Sequence, residues 1–468
     1  MRIAHISAWK HVLLACLVML APITAHAAAL DGPVMGPVWG IPFAGMLLSI
    51  AILPIVAPRF WHKRMGLVAL IWSLALVIPV AIVSGIGVAA FTVWHAAWVE
   101  FLPFVLLLLA LFACGGGILV RGGFSGTPAG NTAALVIGTA FAGLMGTTGA
   151  AMVMIHPLLR ANSHRTRKLH IVIFFIVLVA NIGGATSPLG DPPLYIGFLN
   201  GVPFFWPLQA LLKPMLLVTI PLLAIFYAMD RFFAAREPAP APPGKLHLRG
   251  TFNIGLLAIV VLTVLVQGFW HPGDANLLGQ PIGIERLVAM AIFVAVTVVS
   301  VRFTPPTVRE GNDFNWHPME EVGKLFAALF LTIGPVMAML DAGTNGPMAF
   351  LLKLTQTANG ELNPLAIFWL GGMLSAFLDN APTYLVFFHL AGGDAVELTG
   401  PLNPVLTAIS AGAVFFGALT YIGNAPNMMI RSIASHRGVK MPSFFVYFGL
   451  ASALLLPIFA LLSFYYMR

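Results

Sequence analysis

Charged residues are scarce in this chain of 468 residues: only 9% are Asp, Glu, Lys or Arg, whereas 59% are hydrophobic and the mean hydropathy is +0.94. A soluble domain of this size needs more charge on its surface, so the composition excludes a soluble globular protein and indicates a membrane protein with many spans. The formal net charge is +8. The basic residues lie in short segments between apolar runs and form no basic face, which disfavours nucleic-acid binding.

Cysteine is almost absent as well, since Cys16 and Cys114 are the two in the sequence. One falls in an apolar segment near the start and the other inside a predicted span, so a disulfide framework and a thiolate metal site are both excluded. Nothing in the sequence calls for a cofactor or a resident metal ion. We therefore expect function to depend on oxygen-bearing side chains and on the backbone.

The segment 1–29 has the pattern of a secretory signal peptide: a weakly basic start, the apolar core "VLLACLVMLAP", and the small residues "ITAHAAA". We predict a signal peptide there. An uncleaved first helix is the alternative, and it gives every downstream segment the same orientation.

Apolar runs of about 20 residues predict an all-α membrane protein with about ten transmembrane helices. Two further apolar stretches, 131–160 and 363–391, have polar centres, "MGTTGA" and "FLDNAPT". Non-helical backbone at membrane depth must be satisfied by protein or water, so we predict re-entrant hairpins there. The predicted helices lie near 38–58, 66–89, 98–120, 169–200, 205–229, 252–271, 284–303, 322–342, 403–435 and 443–467, with 169–200 and 403–435 interrupted.

The distribution of Lys and Arg sets the predicted orientation. Of the 24, 18 fall in six segments, four fall elsewhere in the mature chain, and two are in the signal peptide. The positive-inside rule then makes the six segments cytoplasmic and favours a multi-pass protein of a bacterial-type inner membrane. The six are 59–65, 121–130, 160–168, 230–250, 302–324 and 431–442.

A Pro- and Ala-rich linker, "REPAPAPPGKLHLR" within 230–250, divides the chain into 30–229 and 251–468. When "GATSPLGDPP" (184–193) is aligned with "GALTYIGNAP" (417–426), the same offset also aligns "TTGA" with "NAPT". Each half has five predicted crossings, an odd number. The second half must therefore cross the membrane in the opposite sense, which predicts two inverted-topology repeats.

The segment "NIGGATSPLGDPPLY" at 181–195 interrupts an apolar helix with three prolines and three glycines. Proline lacks the amide hydrogen and leaves carbonyls unpaired, while glycine allows close backbone approach. Thr186, Ser187 and Asp191 add side-chain oxygens. In secondary transporters such broken helices form the ion or solute site near the bilayer midplane, and we predict a site here.

The motifs "NIGGATSPLGDPP" and "FLDNAPTYLVFF" resemble signature regions of the ion transporter superfamily, which includes D-type sodium/proton antiporters, arsenite permeases and citrate carriers. The resemblance implies that Ser187, Asp191, Asp379 and Asn380 are site residues. After Asp191 the chain continues with Pro192 and Pro193, which is closer to the permease and citrate-carrier pattern than to the antiporters.

The repeat extends the predicted site to further residues in both halves. Structural roles are open for several of them: Asp379 and Asp191 are also suited to capping helix N-termini, and the hairpin threonines to satisfying backbone groups. His156 and His389 are interpreted as interfacial residues of the hairpin helices. The full predicted set is Asp379, Asn380, Asp191, Ser187, Thr186, Gly190, Thr147, Thr148, Thr383, Thr420, Gly423 and Asn424.

The predicted function is secondary active transport by alternating access, with sodium or another cation exchanged for protons and Asp379 ranked before Asp191 as the carrier group. The alternative is a cation-coupled carrier of citrate or another small carboxylate. An intramembrane serine protease is a third hypothesis, because "GFSG" surrounds Ser125, but no histidine lies at a matching depth. We expect no enzyme activity; the predicted partners are small ions or a small carboxylate and the lipid bilayer, with a homodimer left open.

Overall fold

A computed structural model of the protein describes residues 35–240, 242, 244–277, 280–343 and 346–467. The predicted signal peptide at 1–29 lies outside this range. The all-α prediction is confirmed, since the described chain is predominantly helical with a few short strands. Within it, nine helices are long and apolar enough to cross a membrane: Pro37–Val56, Pro58–Val83, Ile86–Gly115, Pro128–Met145, Leu169–Thr186, Trp206–Ala234, Ile284–Phe303, His317–Asp341 and Phe444–Tyr466.

The described part of the first half contains eight helices and one broken connection. The third helix, Ile86–Gly115, includes a π-helical segment at Ala96–Phe101. A 3-10 turn at Ile182–Thr186 lies between the sixth and seventh helices. The helices are α1 (Ile41–Val56), α2 (Pro58–Val83), α3 (Ile86–Gly115), α4 (Pro128–Met145), α5 (Thr147–Ala161), α6 (Leu169–Leu178), α7 (Pro192–Leu199) and α8 (Trp206–Ala234).

The second half repeats this order and adds three short helices, α11, α13 and α16. A 3-10 turn at Gly417–Leu419 again separates the parts of a broken helix. The helices are α9 (Phe252–Gln267), α10 (Ile284–Phe303), α11 (Pro306–Gly311), α12 (His317–Asp341), α13 (Ala349–Thr355), α14 (Pro364–Leu378), α15 (Asn380–Leu390), α16 (Ala395–Thr399), α17 (Asn403–Phe416), α18 (Ala425–His436) and α19 (Phe444–Tyr466).

Eight of the ten predicted crossings coincide with long apolar helices of the described chain. The ninth such helix, α4, is one leg of the predicted first hairpin. The predicted crossings at 252–271 and 403–435 contain shorter apolar helices, Phe252–Gln267 and Asn403–Leu419. Several boundaries also differ from the prediction; α2, for example, begins at Pro58 and not at 66, because proline is well suited to the first turn of a helix.

Both predicted hairpins are present as helix pairs that meet at a single residue. Between α4 and α5 this residue is Gly146, with φ 81° and ψ 150°. Between α14 and α15 it is Asp379, with φ 77° and ψ 146°. The offset that aligns the sequence motifs also places these two turn residues at equivalent positions. This agreement supports the predicted repeat, although the membrane orientation of the halves stays a prediction.

Two antiparallel ribbons were not predicted. One pairs β1 (Leu119–Arg121) with β2 (His247–Arg249) and thereby joins the end of α3 to the linker. The other pairs β3 (Asp274–Leu277) with β4 (Gln280–Gly283). The linker also docks through Glu237, whose carboxylate accepts hydrogen bonds from Thr166 N and Oγ1 at 2.9 and 2.7 Å. These bonds favour the charged form and lower the pKa of Glu237 to about 2.

A buried polar network holds the base of the first hairpin. Asp230 of α8 accepts hydrogen bonds from Arg165 and from Asn131 Nδ2, the latter at 2.9 Å, and pairs with His170 Nε2 at 2.8 Å. Asn162 completes the network through two hydrogen bonds with Asn131, of 3.0 and 2.7 Å. Because these side chains come from α4, from the C-cap of α5 and the loop after it, and from α6 and α8, they fix the hairpin against its neighbours.

Candidate functional site

The two broken helices have the same backbone at their interruptions. In the first half, Asp191 is the N-cap residue of α7, with φ −144° and ψ 144°. In the second half, Asn424 is the N-cap residue of α18, with φ −153° and ψ 139°. Each is followed by a proline within the first turn, where the missing amide hydrogen has no intrahelical partner to lose. The prolines thus start new half-helices after the non-helical segments 187–191 and 420–424.

A hydroxyl in each half fastens the interrupted segment to the adjacent hairpin. Ser187 Oγ donates to the carbonyl oxygen of Gly143 on α4, and Thr420 Oγ1 donates to that of Ala376 on α14. Both donors and both acceptors are repeat equivalents. Each hydroxyl also accepts from the backbone N–H that lies second after it in the chain, at 3.2 Å. These bonds give Ser187 and Thr420 a positioning role.

Asp191 lies where the two halves meet and is only 1% exposed. Its Oδ1 accepts hydrogen bonds from Thr147 Oγ1 at 3.0 Å and from Asn424 Nδ2 at 2.9 Å. Its Oδ2 accepts one from Asn380 Nδ2 at 2.5 Å. Thr147 and Asn380 are the first residues of α5 and α15, so this carboxylate joins both hairpin tips to the second broken helix.

Two further asparagines, which are not among the predicted site residues, contact the two interruptions. Asn181 Nδ2 donates to Asn427 Oδ1 at 2.8 Å, and Asn427 Nδ2 donates to the carbonyl oxygens of Gly417 and Thr420 at 2.8 Å. Both asparagines are fully buried. For Asn181 the available signal was its position directly after the apolar run "IVIFFIVLVA". Together they tie the two interruptions to each other.

Asp379, the first-ranked residue of the sequence analysis, has a different environment. Its backbone lies in a region of φ and ψ that is almost restricted to glycine. Its side chain is partly exposed, and Oδ1 accepts from the Ala381 N–H at 3.3 Å. Thr383 Oγ1 donates to the Asp379 carbonyl oxygen at 2.8 Å, a bond in the first turn of α15. The predicted capping role of Asp379 is therefore present.

A cavity of about 40 Å³ lies beside these groups, large enough for a few water molecules. Both carboxylates border it, and no Lys, Arg or His is among the described residues that line it. Asn380 reaches the site through Asp191, whereas Thr186, Ser187, Thr383, Thr420 and Gly423 lie outside the cavity lining. The predicted site residues that border the cavity are Thr147, Thr148, Gly190, Asp191, Asp379 and Asn424.

The paired glycines of the motifs are sites of close backbone approach. A Cβ added to Gly190 would lie 2.7 Å from the carbonyl carbon of Gly184. One added to Gly423 would lie 2.7 Å from the carbonyl oxygen of Gly417 and 3.1 Å from that of Ala376. Backbone atoms cannot move aside as a flexible side chain can, so the fold needs glycine at both positions.

A protein family described as "Putative citrate transport" matches residues 33–467. The chain belongs to this family. It is also 23% identical, over 304 residues, to the Na(+)/H(+) antiporter NhaD of Vibrio parahaemolyticus; the alignment covers 61% of this chain and 68% of that protein. Both matches lie within the ion transporter superfamily, which confirms the resemblance, and they identify the chain as a multi-pass secondary transporter and not an enzyme.

Proposed function

We propose that this protein exchanges a small cation, sodium in the first instance, for protons across a bacterial-type inner membrane. The observation that carries the proposal is the cavity lining, which contains two carboxylates, amide and hydroxyl oxygens, and no basic side chain among the described residues. Such oxygens are the ligands that hard cations prefer. A citrate ion would meet two carboxylates of its own sign there.

The two carboxylates have different contacts and therefore different proposed roles. Asp191 has three donors on its oxygens, which fix its position between the half-helices. The Asp379 carboxylate accepts from the backbone N–H groups of Ala381 and Asn380 and is partly exposed, so we take it as the group that can exchange partners. A carboxylate in a low-dielectric site requires a positive partner, and either a proton or a cation satisfies it. Competition between the proton and the cation for Asp379 would couple the two fluxes. The close glycine contacts would hold the surrounding backbone in place.

A second candidate function, transport of citrate or another small carboxylate, is supported by a different observation. Four helix N-termini converge near Asp191, those of α5, α7, α15 and α18. Helix N-termini present unpaired N–H groups and a positive dipole end, both of which favour anions. The family description points the same way. In this second proposal, a cation bound at the carboxylates and the positive ends of the helix dipoles would together attract the carboxylate substrate.

Transport assays in everted membrane vesicles separate the two proposals. For the antiporter, adding sodium or lithium should dissipate a respiration-generated pH gradient, measured with a pH-sensitive dye, and labelled citrate should not accumulate. Asp379→Asn should eliminate this cation-dependent proton movement, because the amide cannot alternate between a proton and a cation. Asp379→Glu should retain part of it. Asp274→Asn, on the exposed strand β3, is the matched control and should behave like the wild type.

One outcome would contradict the proposed role of Asp379, and a second would contradict the antiporter itself. Exchange at the normal rate in Asp379→Asn would leave that residue with its capping contact to Ala381 alone. Saturable citrate uptake by the wild type, without any cation-dependent proton movement, would replace antiport by carboxylate transport.

A further inference from the structure

A second cavity lies away from the transport site, between α2, α3 and α12. Its volume is about 290 Å³, and small side chains form much of its wall, including Gly66, Ala69, Ser73 and Ala97. Small residues on adjacent helices leave a groove that larger side chains would fill. Among the described residues, none that lines this groove also lines the cavity beside Asp191, so the two spaces are separate.

The groove is on an apolar outer face of the helix bundle. Leu70 of α2, which lines the groove, is 52% exposed, and Leu67, Ile71 and Leu74 on the same helix are 46%, 53% and 43% exposed. In a membrane such a face contacts acyl chains, because apolar side chains of this size are costly to leave in water. The exposed face and the groove together indicate hydrocarbon as the neighbouring chemistry.

Among the residues that the structure describes, one cationic side chain lines the groove. Lys324 of α12 is exposed and lines the cavity, and its Cδ would lie 3.6 Å from a Cβ added to Gly66. Within the described residues Lys324 has no carboxylate partner at ion-pair distance. A lysine one to two turns inside a helix end extends its ammonium group to the headgroup level while its stem covers apolar surface.

The end of the groove next to Lys324 is the predicted cytoplasmic end and carries a net positive charge. His62 of α2 and His317 of α12 lie nearer the helix ends, with their Nε2 atoms 2.9 Å apart. Charged neighbours on the same two helix ends are Arg59, Lys63, Arg64, Glu320 and Glu321. With Lys324 these make four permanent positive charges against two negative ones.

We propose that this groove binds an anionic phospholipid of the cytoplasmic leaflet, with one acyl chain between α2, α3 and α12 and its phosphate at Lys324. The apolar wall matches the chain, and the unpaired ammonium group matches the phosphate. The site also includes part of the π-helical segment, through Ala96, Ala97 and Phe101. Bound lipid would therefore support a helix whose hydrogen-bond ladder is locally irregular.

Lipid binding to the purified full-length protein in detergent tests the proposal, with native mass spectrometry and thermal unfolding as readouts. Phosphatidylglycerol should bind more tightly than phosphatidylcholine with the same chains, and inorganic phosphate alone should produce no shift. Lys324→Ala should weaken phosphatidylglycerol binding about fivefold, as expected for one lysine at a membrane surface, and leave phosphatidylcholine unchanged. Lys213→Ala, an exposed lysine of α8 outside the groove, is the matched control.

Ser73→Phe tests whether an acyl chain occupies the groove, since an aromatic ring there should weaken the binding of both lipids. If this variant does not fold, Ser73→Leu is the smaller substitution for the same test. Unchanged binding of both lipids in the Ser73 variant, or of phosphatidylglycerol in Lys324→Ala, would overturn the proposal. An equal stabilisation by inorganic phosphate would also overturn it, as would crosslinking between two copies through Ser73→Cys. Cation and citrate flux are independent readouts, so failure here leaves the transport proposal untouched.

Discussion

The two halves of the candidate site have nearly identical backbones and different side chains. Gly146 and Asp379 occupy equivalent turns with φ of 81° and 77°. Asp191 and Asn424 occupy the N-cap positions of equivalent half-helices and are joined by a hydrogen bond of 2.9 Å. Each half thus has one aspartate, but at a different one of the two equivalent positions. The repeat supplies a symmetric framework, and the substitutions make its chemistry asymmetric.

This asymmetry separates two kinds of residue. Positions where both halves have the same type, such as the glycines and the hydroxyls of Ser187 and Thr420, hold the framework together through backbone contacts. Positions where the halves differ are the ones that place charge beside the cavity. We therefore expect substitution of a framework residue to have the same effect in either half. The effect of substituting a charged residue should depend on which half contains it.

The largest effect is expected at the paired glycines. Gly190→Val and Gly423→Val should each abolish transport, because the added carbons would collide with the backbone of Gly184 and of Gly417. Flux in vesicles, normalised to the amount of inserted protein, measures this. Gly334→Val on α12 is the control, since nothing lies within 4 Å of a Cβ there. Normal transport in either motif variant would show that the symmetric framework is dispensable.

Exchange of the central pair should have the next largest effect. Asp191→Asn should lower the transport rate about 10- to 100-fold, because it removes a charged acceptor and leaves donors facing an amide. The double variant Asp191→Asn with Asn424→Asp restores one carboxylate at the junction of the halves and should recover part of the rate. A double variant no better than the single one would show that position matters more than charge at this junction.

A smaller effect, on stability, is expected at the hairpin turns. Asp379→Gly should raise the free energy of unfolding by about 1 kcal/mol, because glycine relieves a backbone conformation costing about 1–3 kcal/mol while adding unfolded-state entropy. Transport should nevertheless be lost with the carboxylate. Gly146→Ala should be destabilising by a similar amount, since it introduces the same strain in the other half. Thermal unfolding in detergent measures both, and a stability loss in Asp379→Gly would contradict the strain argument.

Much of this framework could be predicted from the sequence. The scarcity of charge, the apolar runs and the distribution of Lys and Arg indicated a multi-pass helical protein, because the bilayer core imposes length and polarity on each span. A single offset between the halves located both hairpin centres and both interruptions. Such features are local patterns of residue type, and they can be recognised without knowing how the segments pack together.

Tertiary structure decided which of these residues meet. Asp191 contacts Thr147, Asn380 and Asn424 across sequence separations of 44, 189 and 233 residues. No local pattern encodes such contacts, so the sequence could not show that Asp191 has more side-chain partners than Asp379. For the same reason, Asn181 and Asn427 could not be predicted from the sequence to lie at the junction. The sequence by itself determined the membrane setting, the repeat and the broken helices. Only the packing of the two halves placed one buried carboxylate at their junction, because hydrogen bonds depend on distances in space and not on separation along the chain.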